Sequence, residues 1–247
     1  MITQETALPP VVSRAEWLKA RKALLEKEKN LTRARDALSA ERRRLPMVKI
    51  EKNYVFEGPE GKVPFINLFQ GRRQLYVHHF MWNEETQTHC PGCTAAAHVG
   101  FTDRVLQHLH DKDVTFVAIS RAPLAKITPY KEQNKWTFPW YSADGTDFNY
   151  DFHITLDESR APVEYNYRNK AELLSHGDTE ESLHGDRTGA SVFLRDGNDI
   201  FHTYSAYARG LDLAFTPVHF LELTPYGRQE EWEDSPAGWP QRPTYGG

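Results

Sequence analysis

Residues 74–93, QLYVHHFMWNEETQTHCPGC, read as a strand, a short loop and a cysteine pair that opens a helix. Gln74 to Met81 has the composition of a strand, and Thr94 to His110 places Ala97, Phe101, Val105, Leu106 and Leu109 at helical spacing. Cys90 and Cys93 are the only cysteines of the chain, separated by Pro91 and Gly92. A C-x-x-C pair after a strand and at a helix start is a pattern for thiol chemistry. The unpaired N–H groups and the positive dipole end of a helix stabilise a thiolate. They can bring a cysteine pKa from about 8.5 into the range of roughly 3.5 to 7.5. On this reading Cys90 is the attacking thiol and Cys93, nearly one turn on, the resolving one. Pro91 suits the first turn, where its missing N–H has no intrahelical acceptor to lose.

A competing reading makes the pair part of a metal site for copper or zinc, since two thiolates and an imidazole suit a soft or borderline ion. The chain has eleven histidines, and His79, His89, His98 and His202 are the ones to consider around the pair. Against it, no second C-x-x-C completes a four-ligand zinc site. Cys93 and His98, five residues apart on one helix, point about 140° apart. A third reading is a non-catalytic interaction scaffold.

Composition narrows the classes. At 247 residues with net charge -4, the chain has no dominant basic surface for nucleic acid. The run Arg42-Arg43-Arg44 sits where cations favour a helix C-terminus. The N-terminus has no signal-peptide pattern, and no apolar run is long enough to span a bilayer. The expected compartment is the cytoplasm, where a lone C-x-x-C is catalytic more often than a structural staple.

In chain order, Ser13 and Glu16 form a capping box before a helix that Pro46 closes. Its apolar residues Trp17, Leu24, Leu31, Leu38 and Leu45 step by seven, a narrow stripe that would lie on the main domain or on a twin helix in a homodimer. Tyr54 to Phe56 and Phe65 to Phe69 read as short strands around a Gly58–Gly61 turn. The run Val114 to Ile119 suits a buried parallel strand. A helix at 123–134 and a strand at Phe138 to Tyr141 follow. Residues 155–190 read as a loop or insertion, and 191–204 as a β-hairpin. This alternation predicts an α/β domain: a central mixed, mainly parallel sheet with helices on both faces. The domain is expected over 47–225, preceded by a lead and helix at 1–46 and followed by an extended Pro/Gly/Trp-rich tail at 226–247.

With these elements in place the chain resembles the thioredoxin fold, in particular its peroxiredoxin-like members. More closely, it is similar to a bacterial thioredoxin-like family catalogued as domain of unknown function 899. The matching segments include Trp17-Leu18, Arg42 to Pro46, His79-Phe80-Met81 and Cys90 with Gly92-Cys93. They continue with Ser120 to Leu124, Phe138-Pro139-Trp140, Asp147 to Phe152 and His202 to Gly210. The resemblance implies a thioredoxin-like fold over about residues 10–235. Two departures stand out. Thr188-Gly189-Ala190-Ser191 lacks the proline that thioredoxins carry opposite their cysteines, and Gln87 occupies the position where peroxiredoxins place a Thr three residues before the attacking Cys.

The sequence thus points first to a thiol-disulfide oxidoreductase. Its cofactor is the redox-active disulfide itself, and its partners are a protein or small-molecule disulfide or thiol and an external reductant. Five further residues come into consideration for the site. His78 and His79 lie on opposite faces of the strand, so one of them would face Cys93 as a base. His89 would lower the Cys90 pKa if protonated. Trp82 would wall the site. Arg121, at the C-terminal end of the neighbouring strand, would hold a carboxylate such as that of a small thiol.

Overall fold

The computed structural model describes residues 7–243. The chain divides into two units, one made of residues 1–46 with 218–247 and the other of residues 47–217.

The first unit is dominated by α1 (Arg14–Arg42). Ser13 caps it: its hydroxyl accepts the Glu16 N–H at 3.3 Å, and the Glu16 carboxylate accepts the Ser13 N–H at 3.0 Å. The helix stops at Arg42, four residues before Pro46, with a turn between. No residue of α1 is buried, and each member of the heptad stripe is at least 45% exposed. The tail is turns and bends beyond residue 223, tied to the other end of the chain: Tyr226 donates to the Ala7 carbonyl, and the Ala7 N–H to that of Gly238. No helix among the described residues is long and apolar enough to cross a membrane.

The second unit is built on an eight-stranded sheet. Its first strands are β1 (Val48–Lys49), the hairpin of β2 (Val55–Gly58) and β3 (Gly61–Pro64), and β4 (Gln74–His79). A small separate hairpin follows, β5 (Trp82–Asn83) with β6 (Thr88–His89), and then α2 (Pro91–Gly100) and α3 (Asp103–His110). Next come β7 (Val114–Ser120), α4 (Leu124–Gln133), β8 (Trp140–Ser142) and the short α5 (Phe148–Asp151). The segment beyond carries β9 (Thr155–Leu156), β10 (Glu164–Tyr165), β11 (Arg168–Asn169), α6 (Lys170–Ser175) and β12 (Gly185–Asp186). The long hairpin of β13 (Gly189–Asp196) and β14 (Asp199–Tyr207) closes the sheet, and α7 (Thr216–Leu221) follows it.

The strand order is β1-β14-β13-β4-β7-β8-β2-β3. At its centre β4 pairs in parallel with β7 on one side and antiparallel with β13 on the other, the thioredoxin-like arrangement. Parallel pairing is confined to β4, β7 and β8. The flanks are antiparallel because hairpins form them, which corrects the expectation of a mainly parallel sheet. Successive residues of β4 and β7 point to opposite faces. Leu75, Val77, Val117 and Ile119 enter one core, with Phe65, Phe148 and Phe193. Phe80, Phe116 and Ala118 enter the other, with Cys93, Ala97 and Trp140.

Three sequence expectations are revised. The single helix over 94–110 is two, broken at Phe101 and restarted with Thr102 as N-cap, because Gly100 weakens the helix just where Thr102 and Asp103 offer a new start. Phe65–Phe69 is a 3-10 helix, which lets Phe65, Leu68 and Phe69 all turn inward. Residues 155–190 are not a loose insertion: they bring Leu156, Val163, Tyr165, Leu173 and Leu183 into the core, and Asn169 and Glu172 cap α6 reciprocally.

Gly189 opens β13 with no space for a side chain. A Cβ there would lie 2.4 Å from Ile154 Cδ1 and 3.2 Å from Tyr207 Cδ1. Gly189→Ala is expected to destabilise the fold by roughly 1–3 kcal/mol, read from urea unfolding midpoints. An unchanged midpoint would show that Ile154 yields freely.

Candidate active site

The loop between β4 and α2 is itself ordered. β5 and β6 pair antiparallel, Trp82 opposite His89, and Gln87 closes their turn at positive φ. The Cys90 N–H donates to the Met81 carbonyl at 3.3 Å, pinning the end of this hairpin back onto the strand it left. Cys90 therefore arrives at the N-cap of α2 with extended backbone, and Pro91 is the first helical residue.

Both cysteines are free thiols; Cys90 is half-buried and Cys93 is 4% exposed. The Cys93 backbone N–H donates to Cys90 Sγ at 3.4 Å. The Cys93 thiol, followed by the Cys93 and Gly92 amides, brings the Cys90 pKa down to about 6 against the opposing effect of burial. Cys93 moves the other way, well above its ordinary value, because its thiol donates a hydrogen bond to the Cys90 sulfur and because it is buried. The Met81 amide and the Thr188 hydroxyl reach the Cys93 sulfur and offset part of that rise. Thr94 braces the first turn, donating to the Cys90 carbonyl at 2.8 Å and meeting the Tyr130 hydroxyl at 2.9 Å.

Cys90 opens onto a cleft of about 530 Å³ whose walls include Trp82, Arg121, Tyr150, Thr155 and Asp186. Trp82 is only 2% exposed; its indole N–H donates to Glu84 at 2.8 Å and its backbone N–H to Asp186 at 3.0 Å. Arg121 stands at the end of β7, its Nε 3.2 Å from Asp186 Oδ1 and its Nη1 donating to the Tyr150 hydroxyl. The Nε–H does not aim at that oxygen, so the contact is an ion pair without an aligned hydrogen bond there. Thr155 adds a hydrogen bond to Asp186 at 2.7 Å. Burial raises the Asp186 pKa, against the opposing pull of Arg121, Thr155 and the Trp82 amide. The expected role of Arg121 is thereby corrected: its guanidinium already has a carboxylate, supplied from within the chain.

The histidines are corrected as well. His89 lies among Trp82, Tyr130, Trp140 and Phe80, and burial lowers its pKa, so it is neutral beside Cys90 and lends the thiolate no charge. His79 faces away from the cysteines. Its Nδ1 is 3.2 Å from Asn149 Oδ1 and its Nε2 2.9 Å from Ser191 Oγ, and from Ser191 the chain of contacts runs through Ser205 to His202. His78 is on the Cys93 face, packed on Phe80 and Phe101, with its Nε2 buried and without a partner. The metal set therefore does not assemble. Among the described residues no three His, Cys, Asp or Glu side chains gather as ligands. His79 and His202 belong to the opposite face, and His98 accepts the Trp136 indole N–H.

A family model described as bacterial protein of unknown function (DUF899) matches residues 6–245. The chain belongs to the DUF899 family. No curated protein matches it. Among solved structures the DUF899 chain is similar to peroxidoxin BcpB from Mycobacterium tuberculosis, with 15% identity, coverage of 72% of this chain and 96% of that one, and a TM-score of 0.41. It is also similar to a mutant of Xylella fastidiosa PrxQ, with 9% identity, 71% and 96% coverage and a TM-score of 0.44. A Xanthomonas campestris peroxiredoxin Q mutant gives 10% identity, 68% and 89% coverage and a TM-score of 0.42.

Sequence reading of this DUF899 chain missed Asp186, Tyr150, Thr155 and Thr188. All four lie 57 or more positions from the cysteines in number, and three of them in or at the end of a segment with weak periodicity. The polarity of Asp186 and Thr188 against the apolar β13 that follows was the one available signal.

His78 and His79 give the fold an acid limit. Burial lowers their pKa values to about 4 and about 3, so the unfolded chain binds protons below about pH 6.5 that the native chain refuses. This stability is complete above that pH and is lost as pH falls from there to about 4 for His78 and about 3 for His79. Between pH 7 and pH 5 the two rings are expected to remove on the order of 3 kcal/mol. Urea midpoints at the two pH values check it, and His78→Phe should show about half the loss. Identical slopes in the two proteins would contradict a neutral, buried His78.

Proposed function

We propose that the DUF899 chain is a thiol-disulfide oxidoreductase, with Cys90 as nucleophile and Cys93 as resolving thiol. The observation that carries this reading is the pairing of a half-buried Cys90 sulfur, with its pKa near 6, and a sealed Cys93 thiol that donates to it. Near neutral pH Cys90 is mostly thiolate while Cys93 keeps its proton, the division of labour that disulfide exchange needs.

The Cys90 thiolate attacks one sulfur of a substrate disulfide. The substrate S–S bond breaks, the far sulfur leaves as a thiolate, and a mixed disulfide remains on Cys90. Cys93 then passes its proton to the thiolate released in the first step, directly or through water, and attacks Cys90 Sγ as a thiolate. The mixed S–S bond breaks, the second substrate thiolate leaves, and a Cys90–Cys93 disulfide forms. The substrate gains two electrons and the protein loses two, which an external thiol reductant returns by the same exchange.

Alkylation by iodoacetamide, followed by mass spectrometry against pH, tests the assignment. Cys90 should react with a midpoint near pH 6. Cys93→Ala should move that midpoint up by about one pH unit or more, because it removes the largest stabilising donor. Mild oxidation should convert both free thiols to one internal disulfide, and Cys90→Ser should abolish disulfide reduction. A Cys90 midpoint above pH 8, or a pair that will not bridge, would end the proposal.

A further inference from the structure

The cleft in front of Cys90 carries more acidic than basic side chains. Its lining includes Glu84, Glu85, Asp157 and Glu181 besides Asp186, and its one guanidinium is Arg121. Arg121 is committed to Asp186 at 3.2 Å and to the Tyr150 hydroxyl. Arg160, which lines a smaller neighbouring pocket with Glu84 and Arg121, is held by Asp147 at 2.6 Å and lies over the Tyr150 ring. Glu84 takes its hydrogen bonds from neutral donors, the Trp82 indole and the Gln87 amide. Asp157 is bonded to Ser159, and that hydrogen bond is the main cause holding its pKa below the ordinary value. His184 and Arg160 are the basic groups near Asp157. A thiolate at Cys90 adds one more negative charge at the cleft floor.

We infer that the cleft takes small disulfides that carry a positive charge, such as an ammonium group, a few ångströms from the sulfur, and turns away anionic ones. This rests on the proposed disulfide exchange at Cys90 and names its substrate class. The physical basis is the excess of carboxylates, Glu84, Glu85, Asp157 and Glu181, over the guanidinium groups of Arg121 and Arg160, which are paired with Asp186 and Asp147, in a field focused between the low-dielectric walls of Trp82 and Tyr150. The cleft volume of about 530 Å³ is in the range of small-molecule sites. A carboxylate-bearing disulfide would meet the carboxylates and the thiolate and would have to compete with Asp186 for Arg121, whereas an ammonium group would find Glu84 or Glu181.

The test measures second-order rates of reduced protein with three probes: cystamine (dicationic), 2-hydroxyethyl disulfide (neutral) and dithiodiglycolate (dianionic). Each rate is divided by the rate of the same probe with free 2-mercaptoethanol at equal thiolate concentration, which removes the probe's intrinsic reactivity. At low salt the normalised cystamine rate should exceed that of dithiodiglycolate by about 10- to 100-fold, and the ratio should shrink several-fold near 0.5 M salt. Glu84→Gln with Glu181→Gln should lower the low-salt ratio by roughly 3-fold or more. A ratio near one, a preference for the anion, or a ratio insensitive to both salt and the double variant overturns the inference while leaving disulfide exchange at Cys90 in place. Failure of all three probes to oxidise the reduced protein overturns the exchange reading itself, and the inference with it.

Discussion

The Cys93 thiol donates a hydrogen bond to the Cys90 sulfur, and this contact divides two chemically identical side chains into an acid and a base. It depends on α2 beginning where it does. The Cys93 amide reaches Cys90 Sγ only because Cys90 occupies the N-cap, and Cys90 occupies the N-cap because its own amide is bonded to Met81. A hydrogen bond to an ionised group is worth more than one between neutral partners, so sulfur donors and amide donors together outweigh the desolvation of a half-buried thiolate. Helix start, strand end and thiol acidity are thus one arrangement.

A second constraint holds the cleft open beside it. Asp186 is a carboxylate with almost no exposure, and it meets the Trp82 amide, the Thr155 hydroxyl and the Arg121 guanidinium. These partners come from β5, β9 and the end of β7, so one buried charge fastens three chain segments. Burying the carboxylate costs desolvation energy that the ion pair and hydrogen bonds offset, and the gain lies more in a fixed geometry than in net stability. The hairpin of β5 and β6 is held by this tie at Trp82, and the hairpin carries Cys90 at its far end.

Much of the architecture was readable from residue patterns because the signals were local. The capping box of Ser13 and Glu16, the apolar run of β7 and the turn between β13 and β14 each report their own structure within a few positions. The helix start at Cys90 was equally local. What escaped was decided at long range. His79 and His89 look alike in sequence, but the pleat of β4 sends His79 to Asn149 and Ser191, while the hairpin folds His89 among aromatic rings. Arg121 looked available because its partner Asp186 is 65 positions away. The segment 155–190 looked like a loop because its apolar residues follow neither helical nor strand period. They reach the core through short pieces, and Tyr165 donates to the Thr188 carbonyl beside the cysteines.

The unequal exposure of the two sulfurs has a chemical consequence for survival under oxidants. An oxidant entering the cleft meets residue 90 first, since residue 93 is sealed beneath Met81 and Thr188. A sulfenic acid formed there would have a thiol in the same helical turn ready to condense with it, releasing water and leaving a bridge that ordinary thiols can reopen. The irreversible rungs of sulfur oxidation would then lie behind a faster reversible exit, so the same burial that keeps one thiol protonated would also act as the site's fuse.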